Sequence, residues 1–522
     1  MRKILCPILL SAVALTAAAQ TIQVDDQLQK LLIAESAITN LYVDKVNDST
    51  IVEAGIRAML KELDPHSTYL TSKEVQKSNE QLNGNFEGIG VQFNMVRDTL
   101  FIVQTIPDGP SEKVGIIAGD RIISSNDTVI AGVKMTNDRI LSVLRGPKGS
   151  LARLGVIRQG VSGVIYFDVI RDVIPLNTVD ASFMASPGIG YIKISSFGAT
   201  TEKEFEEALK KLQKQGAESL ILDLQENGGG YLGAAVSMAN EFLDRNQRIV
   251  YTEGNAQSRM SYIAEGDGLF RDGRLVVLID EYSASASEIV TGAVQDWDRA
   301  TVIGRRSFGK GLVQRPVEFS DGSMIRLTVA KYFTPSGRCI QKPYGDDVDY
   351  GHDISERLKS GQLTNADSIH FADSLKYKTL VKGRTVYGGG GIMPDIFVPI
   401  DTTRMTQWYR EVTARSCVLQ ASLKYVDTHR RELQRKYRDF VDFKNKFAVE
   451  QDILELVLKN AEECRIEFNQ KQYEESLPII TVQLKALIAR NLWAMSEYYS
   501  IVTALDPIYC KAVEYLTGDT GR

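Results

Sequence analysis

Histidine and cysteine are both scarce in this sequence. Only 4 of the 522 residues are histidine, and none lies between His66 and His352. The usual base of a hydrolytic serine is therefore missing from the whole middle of the chain. The 5 cysteines are widely spaced and match no metal-binding pattern, so the sequence implies neither a metal nor a cofactor. Apart from Cys6, the cysteines are compatible both with disulfides and with buried free thiols.

A strong charge of either sign is also missing. The formal net charge is −5, and the charged residues are spread along the chain. This balance argues against a nucleic-acid-binding surface. Hydrophobic residues make up 43% of the chain, which is enough for ordinary cores, and 522 residues correspond to three or four domains.

Apolar runs long enough to cross a bilayer are missing beyond the N-terminus. There, Arg2 and Lys3 precede an apolar run at 4–15, and three alanines at 17–19 offer a cleavage site. This pattern predicts a secretory signal peptide over 1–19. The protein is then exported, with the periplasm as the expected destination, and a retained membrane anchor is the alternative.

The rest of the chain is organised around the stretch from 275 to 314. The apolar run at 275–279 predicts a buried strand. Ser285 follows with Glu288 three residues later, which is the form of a helix capping box. The Ser285 hydroxyl would then stand at a strand-to-helix turn, facing the positive end of the helix dipole. A serine in this place is usually only a cap.

Lys310, which lies between two glycines, suggests a chemical role for that serine. A serine hydroxyl becomes a nucleophile only beside a base, and lysine serves when burial removes its charge. Bringing a lysine to neutrality near pH 7.5 takes about 4 kcal/mol of desolvation and like-charge repulsion. We expect Arg305 and Arg306 to add to that repulsion. Gln314 lies on the same face as Lys310 in a helix or a strand and is expected to hold the amine.

Two runs, at 283–288 and 307–314, resemble the signature of the C-terminal processing peptidases. These are tail-specific Ser–Lys serine proteases that carry a PDZ domain. The resemblance implies that Ser285 is the nucleophile, Lys310 the base and Gln314 the supporting residue. It favours the nucleophile over the simple cap.

Short strands alternate with glycines from 85 to 173, and this stretch resembles a PDZ domain over nearly its whole length. In such domains a loop of backbone N–H groups captures the terminal carboxylate of a peptide, which adds to the sheet as a strand. By position, the loop consists of Gly88, Ile89, Gly90 and Val91. Arg145 matches an arginine at the end of the second PDZ helix in the family. Reporting of peptide occupancy and a plain surface salt bridge are both open roles for it.

Three glycines at 228–230 follow a predicted buried strand and precede a helix. Consecutive glycines at a helix start expose backbone N–H groups, although a flexible turn is the simpler interpretation. The resemblance implies that the N–H groups of Gly229, or of Gly228 in its place, and of Ala286 hold the oxyanion. The chain departs from the family at Gln225, where arginine is usual. It departs again at the two arginines after 304, which replace an acidic residue and its neighbour and would shift the pH optimum.

The predicted fold class is α/β, because strands alternate with helices throughout the core. The resemblance implies a crotonase-like protease core at 174–400, with a polar excursion at about 342–384. Helical domains are predicted at 20–84 and at 401–522. Within the latter, apolar residues spaced through 433–447 predict one long amphipathic helix.

The predicted activity is cleavage of protein substrates selected by their C-terminal tails. A catalytically silent PDZ scaffold is the alternative, and a Ser–His–Asp hydrolase using His66 or His352 is a second rival. Asp64 beside His66 invites such a site, but a turn histidine is the simpler interpretation. Homo-oligomer formation and an adaptor protein remain open as further interactions.

Overall fold

The computed structural model describes residues 26–96, 98–345, 348–401 and 405–518. The predicted signal peptide at 1–19 lies outside these residues. Among the helices that are described, none has both the length and the apolarity needed to span a bilayer. One compact unit of the chain ends at Leu63, and a second begins at Asp64.

The first unit contains two helices, in agreement with the helical character predicted for 20–84. They are α1 (Asp26–Leu41) and α2 (Asp48–Lys61). Asn47 begins α2, because its side chain accepts a hydrogen bond from the N–H of Thr50. The apolar stripes of both helices include exposed side chains, namely Leu28, Leu31, Leu32, Leu41, Val52 and Met59.

The second unit opens with elements that join its core directly. Strand β1 (Thr68–Leu70) pairs antiparallel with the later strand Met324–Phe333. Helix α3 (Ser72–Asn83) follows and begins with a capping box. In that box the Glu74 carboxylate accepts from the N–H of Thr71, whose hydroxyl accepts from the N–H of Glu74.

The stretch predicted as a PDZ domain forms a six-stranded antiparallel sheet, a separate two-stranded sheet and two helices. Its elements are β2 (Asn85–Gly88), β3 (Val91–Val96), β4 (Thr99–Thr105), α4 (Pro110–Lys113), β5 (Arg121–Ser125), β6 (Thr128–Val129), α5 (Asn137–Leu144), β7 (Leu151–Ile157), β8 (Ile165–Ile170) and β9 (Asp172–Pro175). The strand order is β3-β4-β5-β7-β8, and β6 pairs with β5. Strands β2 and β9 pair where the chain enters and leaves the domain. Ile140 and Leu144 of α5 are buried in its core.

The core is built from two sheets and the helices between their strands. Its elements are β10 (Val179–Ser186), β11 (Ile189–Ile194), α6 (Thr201–Lys214), β12 (Ser219–Asp223), α7 (Leu232–Asn240), β13 (Arg248–Glu253), β14 (Met260–Ile263), β15 (Arg274–Ile279), α8 (Ala286–Asp296), β16 (Ala300–Gly304), β17 (Leu312–Glu318), β18 (Met324–Phe333), α9 (Asp353–Lys359), β19 (Lys376–Lys378), β20 (Thr385–Tyr387) and β21 (Ile396–Phe397). The larger sheet has the order β10-β11-β12-β15-β16-β21 and is parallel from β11 onward. The other has the order β1-β18-β13-β14, with β17 also paired to β18.

The C-terminal region is helical, as predicted. Its helices are α10 (Gln407–Ala414), α11 (Cys417–Lys436), α12 (Phe440–Lys446), α13 (Gln451–Glu463), α14 (Gln470–Leu492), α15 (Met495–Val502) and α16 (Pro507–Thr517). The prediction of one long helix over 433–447 is wrong. Helix α11 ends at Lys436, and the Asp439 side chain starts α12 by accepting from the N–H of Asp442. The polar start signal thus overrides a continuous apolar stripe.

Helices cover both faces of the larger sheet. Leu220 and Leu222 of β12 pack in the cluster that contains α6, α7 and α8, and Ile221 between them packs in the cluster that contains α16. Alternate residues of a strand point to opposite faces, so a continuous apolar strand is the expected sequence for this position. The C-terminal region therefore supplies one layer of the core.

Helix α11 also contacts the PDZ-like domain. Phe101 and Val103 of β4 are buried in one cluster with Leu423. At the edge of this cluster, Arg121 Nη2 lies 2.6 Å from Asp427 Oδ2. The helical domain thus supports the PDZ-like domain along one side.

Candidate active site

Most of the residues singled out for the site line one cavity of about 1230 Å³. The predicted residues in its wall are Ser285, Ala286, Gly228, Gly229, Lys310 and Gln314. Its wall also contains Arg326 and Tyr332, which the sequence did not single out. The turn before α8, the glycine turn before α7 and the start of β17 meet at this cavity, which brings together residues that are far apart in sequence.

Ser285 lies at the turn between β15 and α8, as the apolar run and the start signal predicted. Its backbone has φ 54° and ψ −112°, a conformation that L-residues rarely adopt. A residue held in this region costs on the order of 1–3 kcal/mol and persists only where its surroundings enforce it. Here the N–H of Ser285 donates to Glu288 Oε2 at 2.8 Å. The strained turn holds the hydroxyl at the cavity wall.

Glu288 does more than the predicted capping. Its carboxylate accepts from the N–H of Ser285, and also from Ser307 Oγ at 2.5 Å and from the N–H groups of Gly309 at 2.7 Å and Lys310 at 2.9 Å. Burial raises the pKa of this fully buried carboxyl, and these hydrogen bonds oppose the rise. One side chain thus joins the turn that contains Ser285 (the serine turn) to the loop at 307–311 that contains Lys310 (the lysine loop).

Tyr332 makes a second connection between the same two segments. Its hydroxyl lies 2.6 Å from the carbonyl oxygen of Lys310 and 3.1 Å from that of Ser285. The side chain is 1% exposed, so these hydrogen bonds are shielded from water. Together with the carboxylate of Glu288, the hydroxyl fixes the two backbones relative to each other.

The Lys310 amine has a lowered pKa. Burial is the largest cause, and the positive charge of Arg326 lowers the pKa further. The repulsion expected from Arg305 and Arg306 is not found. Arg305 pairs with Glu281 at 2.7 Å, while Arg306 donates to Gln362 Oε1 at 2.7 Å.

Gln314 holds the lysine amine, as its spacing suggested. Lys310 Nζ donates to Gln314 Oε1 at 3.2 Å. Gln314 Nε2 in turn donates to the carbonyl oxygen of His66, which fixes the orientation of the amide. Among the hydrogen bonds of the described residues, none joins Lys310 Nζ to the hydroxyl of Ser285.

The glycine turn packs directly on the serine turn. A Cβ at Gly229 would lie 2.8 Å from Ser285 Cβ and 2.9 Å from the nitrogen of Ala286, so only glycine fits. The N–H of Gly229 donates to Asn227 Oδ1 at 2.8 Å. Within the described chain, the N–H groups of Gly228 and Ala286 have no such acceptor. These two groups are available to an oxyanion in this arrangement.

Neither histidine of the rival mechanism lines this cavity. His66 Nε2 lies 2.6 Å from the hydroxyl of Tyr350. Burial and the charge of Lys310 lower the pKa of His66 to about 4. His352 is exposed, and its Nδ1 lies 2.9 Å from Asp349 Oδ2. Asp64 contacts the backbone N–H of His66, rather than its ring, at 2.8 Å.

The described residues also contain no group of three or more acidic, histidine or cysteine side chains that is placed to hold a metal ion.

Comparisons with known proteins match family models to four stretches of this chain. The model of Peptidase family S41 matches residues 188–350, and that of the PDZ domain matches 88–163. The N-terminal domain of the activating protease CtpB matches 10–74, and a family of unknown function, DUF8443, matches 408–494.

The alignments with two relatives from Bacillus subtilis include most of the length of each relative. Carboxy-terminal processing protease CtpA is 37% identical over 319 residues, which are 61% of this chain and 67% of the relative. Carboxy-terminal processing protease CtpB is 36% identical over 338 residues, or 64% and 69% of the two chains. The chain belongs to the carboxy-terminal processing proteases.

Among solved structures, the photosystem II D1 C-terminal processing protease is 26% identical, with 70% of this chain and 92% of that chain covered and a TM-score of 0.35. The family and the α/β fold with a PDZ domain are as predicted. This carboxy-terminal processing protease is a serine-type endopeptidase.

The PDZ domain of this protease presents its predicted loop at the edge of a sheet. Gly88 ends β2 and Val91 begins β3, with Gly90 at φ 74° between them. The carbonyl oxygen of Ile89 accepts from Ser111 Oγ at 2.6 Å, which fixes the loop. Strand β3 is an edge strand among those described, so a peptide strand has room to add beside it.

Arg145 is anchored to α3. Its guanidinium pairs with Glu80 and lies 4.6 Å from the centre of the Phe86 ring. Two residues earlier on α3, the hydroxyl of Ser78 accepts a hydrogen bond from Arg326. Helix α3 therefore lies between the end of the second PDZ helix and the arginine that lowers the pKa of the lysine amine.

The polar stretch predicted as a surface excursion holds the lysine loop of the protease. Arg357 of α9 is 2% exposed and donates to the carbonyl oxygens of Ser307 at 2.8 Å and Phe308 at 3.1 Å. It also pairs with Asp353 at 3.0 Å. Sequence reasoning missed this role because a polar stretch far along the chain gives no sign of the carbonyl groups that it will meet.

Proposed function

We propose that this carboxy-terminal processing protease cleaves proteins by a Ser–Lys acyl-enzyme mechanism. Neutral Lys310 takes the proton of the Ser285 hydroxyl, and the oxygen attacks a substrate carbonyl carbon. The N–H groups of Ala286 and Gly228 stabilise the resulting oxyanion, since the N–H of Gly229 already donates to Asn227. The lysine then protonates the leaving amine, and water releases the acyl group from the serine.

The observation that supports this proposal most strongly is the shared cavity. Ser285 and Lys310 both line it, and the lysine amine has a pKa lowered by burial and by Arg326. Such an amine is closer to neutrality at physiological pH than an exposed lysine, which is what a general base needs. Gln314 then keeps the amine directed along one side of the cavity.

The choice of substrate is proposed to lie with the PDZ domain. The loop from Gly88 to Val91 offers backbone N–H groups to a terminal carboxylate, and the edge of β3 offers a place for the peptide. A peptide held there lies close to α5, whose last turn leads to Arg145. Its partner Glu80 on α3 supports the idea that peptide occupancy is reported to the site.

Export is part of the same proposal. The segment over 1–19 has the charged, apolar and small-residue regions of a secretory signal. The periplasm is the proposed destination.

The mechanism is tested by digestion of a tagged protein substrate with Ser285→Ala and Lys310→Ala. Either change should lower the rate by about 10⁴–10⁶-fold, since neither group acts alone. Ser261→Ala and Lys331→Ala, which alter exposed residues of the core, are the matched controls and should digest normally. Full activity of Ser285→Ala refutes the proposal. A wild-type protein that binds tails but never cleaves them supports the scaffold instead.

The Ser–His–Asp rival is tested by replacing His66 and His352 separately with asparagine. Only this rival predicts that one of the two replacements abolishes cleavage.

Tail selection is tested with one substrate whose C-terminus is either a free acid or an amide. The free acid should be cleaved at a lower substrate concentration, because only it offers a carboxylate to the PDZ loop. Equal KM values for the two forms would contradict selection by the PDZ domain.

A further inference from the structure

Two cysteines of the helical domain lie next to each other. Cys417 is the first residue of α11, and Cys464 follows the last residue of α13. Two hydrogen bonds hold these ends together. Arg415 Nη1 donates to the carbonyl oxygen of Cys464 at 2.6 Å, and Asn460 Nδ2 donates to that of Cys417 at 3.0 Å.

The Cys464 side chain is therefore a close neighbour of the Cys417 side chain. Cys417 is fully buried in the apolar cluster of the helical domain, and Cys464 packs against the same cluster but remains partly exposed. Burial and the neighbouring thiol raise the pKa of Cys417 to about 12. The partly exposed Cys464 is therefore the thiol that an external reagent meets first.

We propose that Cys417 and Cys464 are a modification site, at which an external disulfide oxidant joins the two side chains in a disulfide. The thiolate of Cys464 attacks one sulfur of the oxidant, and the other sulfur leaves as a thiolate. Cys417, as its proton is lost, then attacks the Cys464 sulfur of the mixed disulfide and expels the second thiolate. Two electrons and two protons pass from the cysteine pair to the oxidant, which becomes two thiols.

The other described cysteines do not compete for this bond. Cys339 lies in the protease core, where burial raises the pKa of its thiol. Cys510 is exposed on α16 and lies 3.6 Å from the carbonyl oxygen of Ala504. An exported protein meets disulfide oxidants, so the proposed export gives this site its setting. The chemistry of the pair does not depend on export.

The disulfide would fix the end of the helical domain that supports the PDZ domain. It closes the loop from 417 to 464, which contains α11, α12 and α13. A closed loop has fewer unfolded conformations, so the folded domain gains stability. Helix α11 also carries Leu423 and Asp427, which contact the PDZ domain. The site thus gives the helical domain a role in keeping that contact.

The test is treatment of the full chain with oxidised glutathione, followed by non-reducing digestion and mass spectrometry. The expected product is a linked pair of peptides that contain Cys417 and Cys464. The oxidised protein should unfold at a temperature higher by on the order of 5 °C than the protein reduced with dithiothreitol. In Cys464→Ser this shift should disappear, while Cys510→Ser should keep it.

Three results would overturn the proposal. The first is the absence of the linked peptides when the oxidant is in excess. The second is a disulfide between Cys417 and a different cysteine. The third is a temperature shift in Cys464→Ser that equals the wild-type shift. The peptide map needs no variant, so the test holds even if Cys464→Ser fails to fold.

Discussion

Replacement of Glu288 by glutamine tests how the serine turn and the lysine loop are held together. Oε1 of Glu288 accepts from Ser307 Oγ and the N–H of Gly309, and Oε2 accepts from the N–H groups of Ser285 and Lys310. Glutamine has almost the same shape but only one oxygen. The NH₂ group of the glutamine would therefore face two of these four donors, and the hydrogen bonds that they donate to the carboxylate would be lost.

The size of the effect follows from those two bonds. Hydrogen bonds to a charged acceptor contribute about 1.5–3 kcal/mol each, and a buried neutral amide costs less to desolvate than a buried carboxylate. We expect the free energy of unfolding to fall by about 2–4 kcal/mol. Because the serine and the lysine backbones are no longer fixed to each other, kcat/KM should fall by about 100-fold.

The assay is urea denaturation together with steady-state cleavage of a labelled substrate. Glu281→Gln is the matched control, since Glu281 is also buried, but its carboxylate pairs with Arg305 and makes none of the four hydrogen bonds of Glu288. It should keep kcat/KM within a few-fold of the wild type. Wild-type kcat/KM in folded Glu288→Gln would refute the idea that this carboxylate joins the two segments.

Three further predictions concern neighbouring charges. Arg326→Gln removes the repulsion that lowers the pKa of Lys310, so the rise of kcat/KM with pH should move to higher pH. Replacement of the exposed Arg315 by glutamine is the control and should leave the pH profile unchanged. An unchanged pH profile in Arg326→Gln would contradict the role given to Arg326. Arg357→Gln should lower the free energy of unfolding by about 3 kcal/mol, because it leaves two buried carbonyl groups without this donor and Asp353 with Lys342 as its remaining cationic partner; a urea midpoint equal to that of the wild type speaks against this. Asp427→Asn should cost no more than about 1 kcal/mol, since its arginine partner is partly exposed, yet it should speed hydrogen exchange in β4 and β5; unchanged exchange there would mean that α11 does not support the PDZ domain.

Local patterns were enough to predict the elements that carry the site. The apolar run at 275–279 and the start signal at Ser285 correctly placed a strand, a turn and a helix. Gln314 was expected beside Lys310 from spacing alone, and a hydrogen bond joins their side chains. Such predictions succeed because the residues involved are neighbours in sequence.

Contacts between distant segments could not be predicted in this way. The charge near Lys310 comes from Arg326 across a strand pair, rather than from Arg305 and Arg306 nearby in sequence. Arg305 instead pairs with Glu281, and Arg306 donates to Gln362, which the fold brings close from far along the chain. Likewise, the second connection through Tyr332 depends on the position of β18, which no local pattern reveals.

Gln225 shows how a departure from the family pattern is accommodated. Its amide donates to Asp506 Oδ2 at 2.7 Å, at the start of α16. The family usually has arginine at this position, so the departure put one local ion pair in doubt. The sequence did not indicate that a helix from the far end of the chain would provide a new partner.

Covalent labelling of the serine tests the central claim most directly. The protease is treated with a fluorophosphonate in the presence of a tail peptide, and the adduct is located by peptide mass spectrometry. A neutral lysine beside the nucleophile predicts one adduct, on Ser285, and a labelling rate that falls by orders of magnitude in Lys310→Ala. An adduct on another residue, or equal labelling of Ser285 in Lys310→Ala, would contradict it.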